Sequence, residues 1–148
     1  MNRIRLLLIA TGAAFILTMV IFLGNPMAIG AAQKCAIVHI SSHEGIDRET
    51  LTISRGDCVV WINMTHGEGV KITFREGKKC ADMTKSPVGF KPDWSGCYLT
   101  DYLDFGKTSS LIFVEAGTFK YEVQFSSTGS PLGADRLGIA RFGTIIVK

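Results

Sequence analysis

From Cys35 onward the chain alternates apolar and polar positions with a period of two, the pattern of half-buried strands. Cys35 to Ile40 forms a short branched strand, with Ala36, Val38 and Ile40 on one face and Ile37 and His39 on the other. Ser41 to Glu49 is polar, contains Gly45 and reads as a connection. Thr50 to Ser54 resumes the alternation through Leu51 and Ile53, and a hairpin-like turn at Arg55-Gly56-Asp57 follows. Cys58 to Asn63 has the strongest pattern, Val59, Trp61 and Asn63 against Val60, Ile62 and Met64, which predicts a central strand. After a glycine-rich turn at Thr65 to Gly69, Val70, Ile72 and Phe74 alternate with Lys71, Thr73 and Arg75.

Residues 77–106 break the rhythm with Pro87, Gly89, Pro92 and Gly96, among the aromatics Phe90, Trp94, Tyr98, Tyr102 and Phe105. An irregular connection of that length marks an insertion, functional or separately stapled. Strands resume at Ser109 to Val114 and at Thr118 to Phe125, where Phe119, Tyr121 and Val123 share a face. A second loop, Ser126 to Arg141, precedes a closing strand from Phe142 to Val147. Short strands between turn signals, without an amphipathic helix, predict an all-β sandwich of two sheets.

The N-terminal stretch changes the picture of where the chain resides. Arg3 and Arg5 precede an apolar run from Leu6 to Leu23, and small residues follow from Ala28 to Ala32. That order reads as a secretory signal over residues 1–32, cleaved after Gly30 or Ala32, which implies a periplasmic or extracellular protein. The alternative is an uncleaved helix anchoring the chain in a membrane through residues 6–23. Residues 33–148 then make one domain. Loss of residues 1–32 removes two of sixteen basic residues and none of thirteen acidic ones, leaving a net charge of +1. So small a charge argues against nucleic acid as a partner. The four cysteines, Cys35, Cys58, Cys80 and Cys97, suit an oxidising compartment and allow three disulfide connectivities.

Two stretches carry a family resemblance. Arg55-Gly-Asp-Cys-Val-Val-Trp-Ile-Asn63 and Gly117-Thr-Phe-Lys-Tyr-Glu-Val123, closed by Phe142-Gly-Thr-Ile-Ile-Val147, resemble the framework of the cupredoxins. The resemblance covers roughly Cys35 to Lys148 and implies a Greek-key β-sandwich. It also places the strands opened by Cys35 and Cys58 side by side, which makes a Cys35–Cys58 bridge reasonable and leaves Cys80–Cys97 to staple the insertion. In that family a type 1 copper ion is held by two imidazoles, a thiolate and often a thioether. Val123 stands where the thiolate is expected and Ser126 where a second imidazole is common, and no His, Cys or Met occurs between Val123 and Lys148. The family's first His falls near Glu68, two residues beyond His66.

The expectation is therefore a cupredoxin-like domain without a type 1 site or other cofactor, acting as a binding or accessory module toward an envelope protein or small ligand. One alternative is copper binding or handling by the Met64, His66 and Glu68 turn; another is a divergent electron-transfer cupredoxin. Membrane contact is expected only if the N-terminal segment is retained. Phe90, Trp94, Tyr98 and Tyr102 offer a candidate partner surface, with packing under a stapled flap as the competing reading. His39 and His43 are four apart and could share a strand face, but no third ligand accompanies them in the sequence and they read as ordinary surface histidines. Asp101 and Asp104 read as solvated loop residues. No Gly-x-Ser-x-Gly motif sets up Ser109-Ser110 or Ser126-Ser127 as a nucleophile, so no enzyme activity is expected.

Overall fold

A computed structural model describes residues 33–75, 79–126 and 140–148. The predicted signal or anchor, Lys78 and most of the second loop lie outside the described residues. Along the chain run β1 (Cys35–Ser41), β2 (Gly45–Ile46), β3 (Thr50–Ile53), β4 (Cys58–Asn63) and β5 (Val70–Phe74). A one-turn helix, α1 (Lys79–Met83), leads into β6 (Thr84–Val88), β7 (Phe90–Pro92) and β8 (Tyr98–Thr100). The last three strands are β9 (Thr108–Phe113), β10 (Gly117–Phe125) and β11 (Arg141–Val147).

These strands form two mixed sheets, one ordered β2-β1-β4-β9-β6 and the other β3-β11-β10-β5-β8-β7. Strand β4 is central in its sheet, parallel to β1 and antiparallel to β9. The period-two pattern decides which side chains meet between the layers. Val38, Ile40, Val59, Trp61, Leu111 and Phe113 come from the first sheet. Ile72, Phe74, Phe119, Tyr121, Val123 and Ile145 come from the second, all buried. The all-β, cupredoxin-like sandwich expected from the sequence is the fold of this chain.

Trp61 is the centre of the core, fully buried and meeting Phe74, Phe90 and Tyr121 edge-on at centroid distances of 5.7, 5.5 and 5.5 Å. Edge-to-face contacts of this kind each add about 0.5–1.5 kcal/mol beyond area burial. Tyr121 lies opposite Gly143 across the β10–β11 pair, where a Cβ on Gly143 would sit 2.1 Å from the tyrosine Cζ. The glycine in the closing strand is thus fixed by the ring that covers it.

Several expectations from the sequence change in three dimensions. The turn at Arg55-Gly56-Asp57 is tight, with Asp57 N–H donating to the Ser54 carbonyl, but β3 and β4 belong to different sheets, so it is a crossover and not a hairpin. Residues 79–106, stapled by the Cys80–Cys97 bridge, contribute strands to both sheets. Strand β6 edges the first sheet, β7 and β8 edge the second, and Gly89 at φ +72° carries the chain between them. Helix α1 was not foreseen, because a five-residue turn has no period to show.

Replacing Gly143 with alanine will lower stability by about 1–3 kcal/mol through overpacking against Tyr121, measured by urea unfolding; an unchanged midpoint would contradict the packing described. Burial pushes the Tyr121 hydroxyl from 10.0 up to about 12, opposed by the adjacent Trp61 indole and reinforced by the charge of Asp47. The folded chain therefore holds this proton more tightly than the unfolded chain, so its contribution is complete below pH 10.0 and is lost as pH rises toward about 12. Urea unfolding across that range should show a decline that Tyr121→Phe reduces.

Candidate functional site

Asn63 ends β4 with its side chain fully buried, and it organises the loops at that end of the sandwich. Its Nδ2 donates to the Leu103 carbonyl at 2.7 Å and to the Glu68 carbonyl at 3.0 Å. Its Oδ1 accepts from the Thr65 backbone N–H at 2.8 Å, and its own carbonyl accepts from Gly106 N–H at 2.7 Å. The Thr65 hydroxyl, 2.7 Å from Asn63 Oδ1 and 2.6 Å from the Glu68 carbonyl, has one proton to donate between them. One amide thus ties the β4–β5 turn to the chain between β8 and β9. A reciprocal pair of backbone bonds between Val70 and Leu103, at 3.0 and 2.8 Å, reinforces the tie.

The expected copper-ligand positions lie beside this clamp and serve other purposes. Val123 is fully buried, paired with Ile72 on one side and Arg141 on the other. Ser126 binds Gly69 reciprocally: its Oγ accepts from the Gly69 N–H at 2.7 Å, and its backbone N–H donates to the Gly69 carbonyl at 2.8 Å. Where a second imidazole is common in the family, a hydroxyl holds the end of β10 to the β4–β5 turn.

On that turn, His66 stacks on Phe105 with centroids 4.3 Å apart and planes inclined by 26°. The Glu68 carboxylate accepts from Ser42 Oγ at 3.0 Å, and Met64 is 43% exposed. Among the described residues no three His, Cys, Asp or Glu side chains are grouped to hold a metal ion.

All four cysteines are paired, Cys35 with Cys58 and Cys80 with Cys97. The first bridge joins register partners of the parallel β1–β4 pair, as the resemblance implied. A type 1 copper ion requires a thiolate. With every cysteine in a disulfide and only carbon at Val123, these residues do not fit that centre.

The aromatics of the proposed partner surface divide. Phe90 and Tyr98 belong to the core at 7% and 8% exposure, with Phe90 against Trp61 and Phe74, so neither is free to meet a partner. Trp94 is 98% exposed and Tyr102 52%. The turn carrying Trp94 is pinned by Asp93, whose Oδ1 accepts from Ser95 N–H, Ser95 Oγ and Cys97 N–H at 2.9, 2.7 and 2.9 Å. Burial alone would raise the Asp93 carboxyl, but these donors and the Gly96 backbone outweigh it and hold the group below its usual value.

His39 donates its backbone N–H to Asp47 Oδ1, and its Nδ1 lies 2.9 Å from Asp47 Oδ2, which makes the carboxylate its partner. His43 is exposed on the following turn. Asp101 is paired with Lys91 at the surface. The sequence reading missed the Asn63 clamp and the part played by Phe105. Asn63 at a strand end followed by Thr-x-Gly-x-Gly was the available signal, since a short polar side chain there can bind turn backbone.

No family model matches the chain, and no curated protein matches it. Among solved structures it is similar to a mutant of amicyanin in its Cu(I) form, at 19% identity over 77% of this chain and 82% of that chain, with a TM-score of 0.49. The reduced Cu(I) form at pH 4 of another amicyanin mutant is similar at 20% identity over 80% and 87% of the two chains, with a TM-score of 0.47. A cysteine protease inhibitor from Entamoeba histolytica is similar at 16% identity over 77% and 97%, with a TM-score of 0.44. The two-sheet β-sandwich stands on the strand order and register of this chain itself.

Replacing Asn63 with alanine strands buried carbonyls and the Thr65 amide, and is expected to lower stability by about 1–3 kcal/mol or more. Amide hydrogen exchange at Thr65 and Leu103 should accelerate ahead of exchange in β9 and β10. Uniform acceleration across the sheets would show that Asn63 is merely one more core residue.

Proposed function

We propose that this chain is an exported cupredoxin-like domain that acts as a binding or accessory module in the cell envelope, using the loop end of its sandwich, and that it carries no type 1 copper centre. The observation behind this reading is the sealed Val123 position together with the pairing of every cysteine. A thiolate supplies both tight copper affinity and a strongly coupled path for an electron, and neither function survives its replacement by an aliphatic group. Around that position stay a rigid clamp, an exposed His66–Phe105 stack and a half-exposed Tyr102, features of a surface preorganised for contact.

Export is supported by the two disulfides, which persist in oxidising compartments, and by the charge and hydropathy order of residues 1–32. Among the described residues no helix is long and apolar enough to cross a membrane. The reading includes no catalytic role.

Titrating the oxidised protein with Cu(II) should produce no intense thiolate-to-copper charge-transfer band; its appearance would overturn this reading. The second reading, copper bound by Met64, His66 and Glu68, keeps some support from the solvent-open placement of Met64 and His66 on one turn. Stoichiometric copper binding that disappears in His66→Ala would establish it in place of the first.

A further inference from the structure

The loop end contains a cleft of about 510 Å³ lined by the Gly67–Gly69 turn and by Tyr102, Asp104 and Phe105, with Ser126 completing the lining. Its chemistry is one-sided. Its lining residues include two acidic ones, Glu68 and Asp104, and two half-exposed aromatic ones, Tyr102 at 52% and Phe105 at 49%, and no lysine or arginine. The Glu68 carboxylate is oriented by Ser42 Oγ at 3.0 Å. Among the described residues the Asp104 carboxylate has neither a hydrogen-bond nor an ion-pair partner.

The cleft is also built in advance of any ligand. A Cβ on Gly69 would lie 2.9 Å from Ser126 Oγ and 3.2 Å from Tyr102 Cβ, so glycine there is what lets Tyr102 close over the turn. Asn63 holds both walls, through the Glu68 carbonyl on one and the Leu103 carbonyl on the other. Little ordering cost is left for a ligand to meet.

We propose that this cleft binds an organic cation, an alkylammonium or guanidinium group, which deepens the binding-module reading given above and rests on it. Aromatic faces attract such cations through their quadrupole, and carboxylates add a Coulombic term that an anion would meet as repulsion. A hard divalent ion would need more oxygen ligands than two carboxylates supply, and it gains nothing from the rings. A neutral apolar group would use the rings and leave Asp104 unpaired. The cation has two sources, a free small amine or the side chain of a basic residue in a polypeptide.

The test is a titration of the oxidised full-length protein, followed by amide chemical shifts and calorimetry. The probes are tetramethylammonium, butylammonium and capped Gly-Lys-Gly and Gly-Arg-Gly peptides, set against butanol, capped Gly-Gln-Gly and capped Gly-Glu-Gly. The cations should give saturable shifts at Gly67, Gly69, Phe105 and Ser126, and the neutral and acidic probes should not. Asp104→Asn and Tyr102→Leu should each weaken cation binding by about tenfold, whereas Trp94→Ala, which lies outside the lining, should leave it unchanged. Tighter binding of the peptides than of the free amines identifies a basic polypeptide as the source; the reverse identifies a small amine. Shifts at these amides from the neutral or acidic probes alone overturn the cation assignment and leave the loop end a binding surface. No saturable shift from any probe counts against both readings.

Discussion

The buried amide of Asn63 is the constraint on which the functional end of this molecule depends. A carboxamide is one of the few side chains that donates twice and accepts as well, so it can satisfy two carbonyls and an amide from loops that no sheet ladder reaches. Because it sits at the end of β4, next after the Trp61-Ile62 pair, its position is inherited from the best-packed strand in the core. The rigidity of the loops is therefore an extension of the aromatic packing around Trp61. Core and site are one mechanical unit.

The contacts of Val123 and Ser126 are part of the same arrangement. Val123 contributes to the core that a ligand there would interrupt, and Ser126 turns to hold the Gly69 backbone. The loops at this end are held to the strands by hydrogen bonds within the protein. At the surface there are the His66–Phe105 stack, Tyr102 and Asp104, with Glu68 partly exposed beside them.

The regular strands were legible in the sequence because each carries the period of two on its own residues. β4 shows it without interruption, and Val59, Trp61 and Asn63 face inward as their spacing requires. Relations between strands were less legible. The Arg55–Asp57 turn has the residues of a hairpin, and nothing local records that β3 joins β11 rather than β4. Strands β6, β7 and β8 are three to five residues long and broken by Gly89, too short for a period to declare itself. For the same reason the aromatics between them could not be sorted, and Phe90 and Tyr98 proved to belong to the core while Trp94 and Tyr102 face solvent. The burial of Val123 follows from the alternation it shares with Phe119 and Tyr121. The clamp was not legible, since its partners are backbone groups up to 40 residues away.

The reading proposed above places a preorganised recognition surface, and no type 1 copper, at the loop end of the sandwich. Metal analysis of the protein purified from its native envelope, with its thiols counted in the same sample, tests this most directly. Far less than one copper per chain and no free thiol are expected. One tightly held copper per chain, accompanied by a free cysteine, would contradict that reading.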